Sequence, residues 1–218
     1  RSTNPMAEFR KLNRDATLTL AGLAVDAGVK RFVFLSSIKV NGEETFPLGR
    51  PCIFKPDDDF IPTDPYGLSK YEAEQGLVAL AKETGMELVV IRPPLVYGPG
   101  VKANFASMIN WLRIGVPLPL GTIHNKRSFV ALDNLVSFIA LCADRSQSHK
   151  AANLVFLISD SEEVSTTQLL RKVAAALGKK PWLLPVPVGL MSFVAKLIGK
   201  GDVANRLFGS LQVDSSKA

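Results

Sequence analysis

The chain has 218 residues, 47% hydrophobic and 21% charged, the profile of an ordinary globular protein able to bury one substantial core and a small second one. Its net charge of +6 is spread over lysines and arginines that stand singly, with no dense basic run interleaved with aromatics, so no nucleic-acid partner is expected. Cys52 and Cys142 lie far apart and are too few for a disulfide framework or a zinc site, which points to a reducing compartment and hence to the cytoplasm.

The chain opens on "RSTNPMAEFRKLN", without an initiator Met, and ends on "LQVDSSKA", a polar stretch with no folding signal of its own. A piece of a longer polypeptide is expected on both counts. The first element, "AEFRKLNRDATLTLAGLAVDAGV", spaces its apolar residues as a helix and meets Gly28 where a C-cap belongs. "RFVFLSS" follows, a short Phe- and Val-rich run suited to a strand buried on both faces of a parallel sheet. A long loop with Pro47, Pro51, Pro56 and Pro62 leads to a helix starting near Tyr66, running to about Thr84 and stopping at Gly85.

"MELVVIRP" reads as a second buried strand, closed by Pro93 and Pro94. Beyond it come a helix over "NFASMINWLRIG", a strand over "RSFVAL", a helix over "DNLVSFIALCAD" capped by Asp133, a strand over "ANLVFLIS" and a helix over "STTQLLRKVAAALG" capped by Ser165. The most apolar tract, "WLLPVPVGLMSFVAKLIG", carries Pro185, Pro187 and Lys196 and follows no signal peptide, so a strand or loop and then an amphipathic helix is expected, with no membrane span. Alternating helices and apolar strands place the chain in the α/β class.

Chemistry concentrates in "DPYGLSKYEAEQGL", where Tyr66 and Lys70 stand four residues apart and so share a helix face. A free phenol titrates near pH ~10 and is a poor base at neutrality, whereas a neighbouring cation favours the phenolate. Two polar residues on a wet helix face would show the same spacing, and their surroundings decide. Ser37 closes a buried strand at its carboxyl end, where open α/β sheets bind ligands, and "RPPLVYGPG" follows the end of the next strand. Three elements then converge on one crevice.

Together, "RFVFLSSIKVNG", "DPYGLSKYEAE", "VIRPPLVYGPG" and "RSFVALDNL", in this order and at these separations, resemble the extended short-chain dehydrogenase/reductase family and its nucleotide-sugar epimerase and dehydratase branch. The resemblance implies a partial Rossmann-like, doubly wound parallel sheet with a smaller C-terminal α/β substrate-binding domain. Residues 1–100 would be the second half of an NAD-binding domain, and 101–218 mainly the substrate domain, with 127–160 returning to the Rossmann-like sheet. It implies Ser37, Tyr66 and Lys70 as the catalytic trio: Tyr66 exchanges a proton with a sugar hydroxyl, Ser37 holds that hydroxyl, and Lys70 lowers the tyrosine pKa and binds the nicotinamide ribose. Asn13, Ser36 and Pro93 would join Tyr66 and Lys70 around NAD, with NADP as the alternative cofactor. Asn104, Leu120 and Arg127 match positions that contact the diphosphate part of a UDP-sugar, for which the arginine fork is suited. A homodimer through the two long helices flanking the central strands, one of them bearing Tyr66, is also implied, as is a role in polysaccharide biosynthesis.

The departures narrow the reaction. The resemblance puts the family's glycine-rich phosphate turn well before Asn13, upstream of the residues given, so the 218 residues alone are expected to bind NAD poorly. "GPGVKA" fits G-x-G-x-x-A, but two prolines separate it from the preceding strand and no acid follows about 20 residues on, so it reads as a substrate-side turn. Ile38 and Lys39 stand where the branch's dehydratases carry an Asp-Glu pair, which disfavours water elimination. A C4 epimerase, a 4-ketosugar reductase and a non-catalytic nucleotide-sensing member remain. Asn41 replaces a frequent tyrosine. His124 and His149 read as solvated side chains, no G-x-S-x-G elbow exists for an esterase, and Trp111 and Trp182 read as core or domain-interface residues.

Overall fold

The computed structural model describes residues 4–45, 52–100, 103–197, 199 and 201–218, leaving aside the side chains of 103, 104, 202, 203 and 206. Pro47 and Pro51 of the expected long loop lie outside the described residues. The first helical run starts on the Asn4 cap, whose side chain accepts from the Ala7 amide, and is not uniform. α1 (Pro5–Phe9) passes through a π-helical turn over Arg10–Asp15 into α2 (Ala16–Asp26), and Gly28, at φ 74°, ends it as expected.

β1 (Arg31–Leu35), β2 (Glu87–Arg92) and β5 (Leu154–Leu157) form a parallel sheet in the order β1-β2-β5, with Val33 opposite Val89 and Val90 opposite Val155. β2 is the central strand, and its side chains alternate between two cores. Leu88 and Val90 pack with Phe34, Ala21 of α2 and Ala73 and Leu77 of α3 (Pro65–Thr84), while Val89 and Ile91 pack with Phe156 and with Leu135 and Cys142 of α5 (Leu132–Ala143). The sheet is thus covered on both faces. Arg31 bolts its amino end: the buried guanidinium donates to Glu87 Oε2 at 2.7 Å, to the Cys142 carbonyl at 2.8 Å and to Ser148 Oγ at 2.7 Å.

β3 (Leu95–Tyr97) and β4 (Phe129–Ala131) make a separate two-stranded parallel pair. The expected "RSFVAL" strand is therefore shorter than read and does not join the main sheet, although Val130 packs into the α5 core. A third core gathers Phe105, Met108 and Leu112 of α4 (Ala103–Ile114) with Leu170 and Ala174 of α6 (Thr166–Ala176), and α7 (Val188–Leu197) sets Val188 and Met191 against it. α8 (Gly201–Phe208) closes the element order.

Local signals hold at α6, where Ser165 and Gln168 form a reciprocal capping box, and at α3, capped by Asp64 and ended by Gly85 at φ 73°. At α5 the expectation fails. Asp133 lies inside the first turn, Ala131 is the N-cap residue, and the carboxylate at that end belongs to Asp160, which accepts from the Ala131 amide at 3.1 Å and from Asn134 Nδ2 at 2.8 Å. The ending "LQVDSSKA" is also misread as having no folding role: Leu211 and Val213 are buried, bridged to Arg127 and Phe54. Trp111 and Trp182 are exposed rather than core residues, at 42% and 61%.

Candidate active site

The site is built where β1 and β2 end. The ladder outlasts the strands, since the Ser36 amide donates to the Ile91 carbonyl and the Ile38 amide to the Pro93 carbonyl. Ser37, extended at φ −155°, then turns the chain into a 3-10 turn over Ile38–Val40, and its hydroxyl accepts from the Lys39 amide at 3.3 Å. This leaves Ser37 half-buried at the mouth of a cleft of roughly 330 Å³ whose lining includes Ser37, Tyr66, Pro94, Phe105, Met108 and Arg127.

Tyr66 comes to the same wall because α3 begins there. Asp64 accepts from the Gly67 amide at 3.2 Å and takes an ion pair from Lys39 at 3.0 Å, tying the helix start to the turn after Ser37. Gly67 permits the approach: a Cβ there would lie 3.1 Å from the Lys39 carbonyl and 2.5 Å from Asp64 Oδ2. The Tyr66 ring is packed edge-on by Phe9, centroids 5.6 Å apart. From the π-helical turn, Asn13 Nδ2 donates to Ser69 Oγ at 3.0 Å, and that hydroxyl donates to the Tyr66 carbonyl at 2.8 Å. Asn13 therefore acts on Tyr66 through the backbone of α3.

Lys70 does share the face of Tyr66, but its ammonium is drawn to the strand: Nζ donates to the Leu35 carbonyl at 3.0 Å and lies 4.8 Å over the Phe34 ring. Burial lowers its pKa from the ordinary 10.5, against the raising effect of the Glu74 charge. Arg127, at the other side of the cleft, is held by backbone bridges to Val164 and Leu211 and donates Nη1 to the Gly209 carbonyl at 3.1 Å. Burial lowers its pKa as well.

Ser37, Tyr66 and Arg127 thus meet at one cleft, while Lys70 bonds the Leu35 carbonyl two residues before Ser37 and the buried Pro93 precedes the lining Pro94 and accepts from the Ile38 amide. Other expected residues fall elsewhere. Leu120 is buried at 6% in the α4/α6 core, where its carbonyl accepts from Thr167 Oγ1, because the third core claims its side chain. Ser36 turns its hydroxyl away into Glu74 at 2.5 Å. The side chain of Asn104 lies outside the described residues. In "GPGVKA" a strand, β3, does precede the glycines directly, contrary to the sequence reading; Gly98 serves packing, since a Cβ there would stand 2.9 Å from Leu132 Cβ, and residues 101 and 102 lie outside the described residues.

Sequence reasoning missed the buried network behind the trio. Arg92 clasps Glu74 through Nε at 3.0 Å and Nη2 at 2.5 Å, and its Nη1 donates to Asn41 Oδ1 at 3.0 Å and to the Pro56 carbonyl. Asn41 Nδ2 in turn donates to the Lys55 carbonyl at 2.6 Å, which gives the residue replacing the family's tyrosine a role in joining the loop to the sheet. The available signal was a charged residue closing an apolar strand and Glu74 one helical turn beyond Lys70.

The chain has relatives among known proteins. A UDP-glucose 4-epimerase of Vibrio cholerae is 52% identical over 217 residues, covering 99% of this chain and 64% of that protein, so the chain spans about two thirds of its relative's length. Among solved structures, UDP-N-acetylglucosamine 4-epimerase from Bacillus cereus matches with a TM-score of 0.75 at 20% identity, over 100% of this chain and 67% of its own. UDP-glucose 4-epimerase of Thermotoga maritima with UDP-glucose matches at 0.71 and 23% identity, over 98% and 63%; both establish the Rossmann-type parallel α/β fold. The profile of the NAD dependent epimerase/dehydratase family covers residues 1–156, and the chain belongs to that family.

Proposed function

We propose that these residues form the catalytic and substrate-facing part of an NAD-dependent epimerase that inverts C4 of a UDP-sugar through a 4-keto intermediate. The observation that carries the reading is the meeting of Ser37 and Tyr66 on one cleft wall with Lys70 seated at the adjoining strand end. The donor set suits the nicotinamide riboside end of NAD: an ammonium for ribose hydroxyls beside the buried, apolar Pro93. NAD, when bound, supplies the acceptor and donor of the C4 hydride. Ser37 holds the C4 hydroxyl, and the Tyr66 oxygen takes its proton and later returns it. Lys70 favours the phenolate electrostatically, and Arg127 faces the diphosphate across the cleft. The name of the 52% identical relative supports C4 inversion of a UDP-sugar. Elimination of water is not supported, since Ile38 is buried and Lys39 pairs with Glu43 and Asp64.

A cytoplasmic homodimer completes the proposal. Leu12, Leu20 and Leu23 of the first helical run are exposed, at 69%, 59% and 61%, which supports a partner on that helix beside α3. The test takes the full-length polypeptide carrying these residues, with NAD and UDP-glucose or UDP-GlcNAc, and follows C4 configuration by NMR. Interconversion reduced by about 10³-fold or more in Tyr66→Phe is expected, from loss of the proton-transfer group. Absence of interconversion, with turnover only of 4-ketosugars, would assign a reductase instead.

A further inference from the structure

α7 has two apolar faces. Val188 and Met191 pack on the third core, whereas Leu190, Phe193, Val194 and Leu197 stand at positions i, i+3, i+4 and i+7 and are 55%, 61%, 47% and 70% exposed. Further exposed apolar residues lie on the segments that share the third core with α7. The segment before α7 lies alongside the residues after α4: the Leu118 amide donates to the Trp182 carbonyl and the Leu184 amide to the Leu118 carbonyl. That ties exposed Trp182 and Leu184 to the segment that carries exposed Trp111, Ile114 and Val116, and both segments send neighbours, Leu112, Leu118 and Leu183, into the third core. Both tryptophans of the chain are therefore here.

The charged side chains on the segments that carry this surface are basic: Lys179 and Lys180 precede Trp182, Lys196 lies on α7 and Arg113 is in the last turn of α4. Lys179, Lys180, Lys196 and Arg113 are exposed, with Lys179 Nζ donating to the Arg113 carbonyl. Two copies of this chain meeting through the same patch would bring like charges together, whereas an anionic surface would be complementary. Tryptophans and aliphatic side chains bordered by lysines are what a helix lying in a lipid interface presents. Among the described residues no helix is long and apolar enough to cross a membrane, so contact would be with one leaflet.

We propose that α7, with the Trp111 and Trp182 segments, docks the protein on an anionic lipid surface. The face is separate from the helical run proposed for the homodimer, and the docking does not depend on the epimerase reading. The test mixes the protein with vesicles of phosphatidylglycerol or of phosphatidylcholine and reads tryptophan emission and co-sedimentation. A blue shift and pelleting with phosphatidylglycerol, weakened by salt, are expected. Phe193→Glu combined with Leu197→Glu should reduce the bound fraction roughly tenfold while melting as the parent does, because both positions are exposed. A Lys179→Gln, Lys180→Gln, Lys196→Gln variant, which keeps the apolar stripe, should lose the preference for phosphatidylglycerol. The proposal is overturned if the parent does not bind phosphatidylglycerol vesicles or if the double glutamate variant binds equally well. It is overturned too if sedimentation equilibrium shows a self-associated species that the double variant dissolves, since a second copy would then cover the face.

Discussion

Lys70 sets the pH response expected of the site. Its pKa lies below the ordinary 10.5 because burial penalises the ammonium, so rising pH discharges it earlier than an exposed lysine and removes the cation proposed to assist Tyr66. Turnover in the full-length enzyme should therefore fall on the alkaline side, and Lys70→Arg, whose guanidinium does not titrate there, should be slower but keep a flatter alkaline limb. The linkage to folding has its own sign: a lysine with a lowered folded pKa opposes folding while charged, so this penalty fades as pH rises through the folded value toward 10.5. Glu74 and Arg92 make a different kind of contribution, being 3% and 7% exposed and fully engaged with each other, Ser36 and Asn41. Glu74→Ala leaves the guanidinium buried without its partner and should cost about 3–5 kcal/mol in urea unfolding, whereas Glu74→Ala with Arg92→Met should recover much of that loss. A recovered double variant that stays slow would mark the pair as positioning Tyr66, since both partners hold the carboxyl ends of β1 and β2 against α3.

The start of α3 joins local structure to chemistry. Asp64 caps the helix and pairs with Lys39, and Tyr66 sits in the first turn that this cap secures. Asp64→Ala should cost about 1 kcal/mol, read as a fall of roughly 2–4 °C in melting temperature, and should lower kcat more than KM because the displaced group is the proposed proton carrier. Gly67→Ala should be more harmful than its good helix propensity suggests, as its Cβ would press on the Lys39 carbonyl and the capping carboxylate. Retention of parent activity in Gly67→Ala would show that the turn after Ser37 can move aside at no cost.

The sheet gives the folded molecule an acid-sensitive clasp. Glu87, at the start of β2, receives Arg145 from beyond α5 and Arg31 from β1, and these hydrogen bonds hold its carboxyl below the ordinary 4.5. A depressed carboxylate stabilises the fold above its unfolded pKa, and that stabilisation disappears as pH falls through the folded value. Urea midpoints should therefore drop as pH falls below about 4.5, and less steeply in Glu87→Gln. Cofactor affinity also belongs to the whole polypeptide. The chain spans 64% of its Vibrio relative, and the residues proposed for NAD are those of the nicotinamide end, so these 218 residues should bind NAD far more weakly by calorimetry than the full-length form. Stoichiometric tight binding would show that the phosphates are held by groups already present.

Much of this was legible in the amino-acid order. Strands β1, β2 and β5 announce themselves as short apolar runs, α3 and α6 carry their own caps, and Tyr66 and Lys70 stand at a spacing that the helix converts into a shared face. These are effects of adjacent residues, carried by backbone period and by side chains reaching one turn. What the order left hidden depends on partners far along the chain. Asp160 ends up tied to the amide that opens α5, Leu120 is taken into the third core, Leu211 and Val213 are buried by distant bridges, and Trp111 and Trp182 are left facing out. Composition assigns such residues a tendency to be buried, but which face receives each one is settled when helices and strands pack. The Glu74–Arg92 pair shows the same division: Arg92 closing an apolar strand reads as an anomaly and Glu74 as one polar helix residue among several, and only the packing of α3 against the end of β2 makes each the reason for the other.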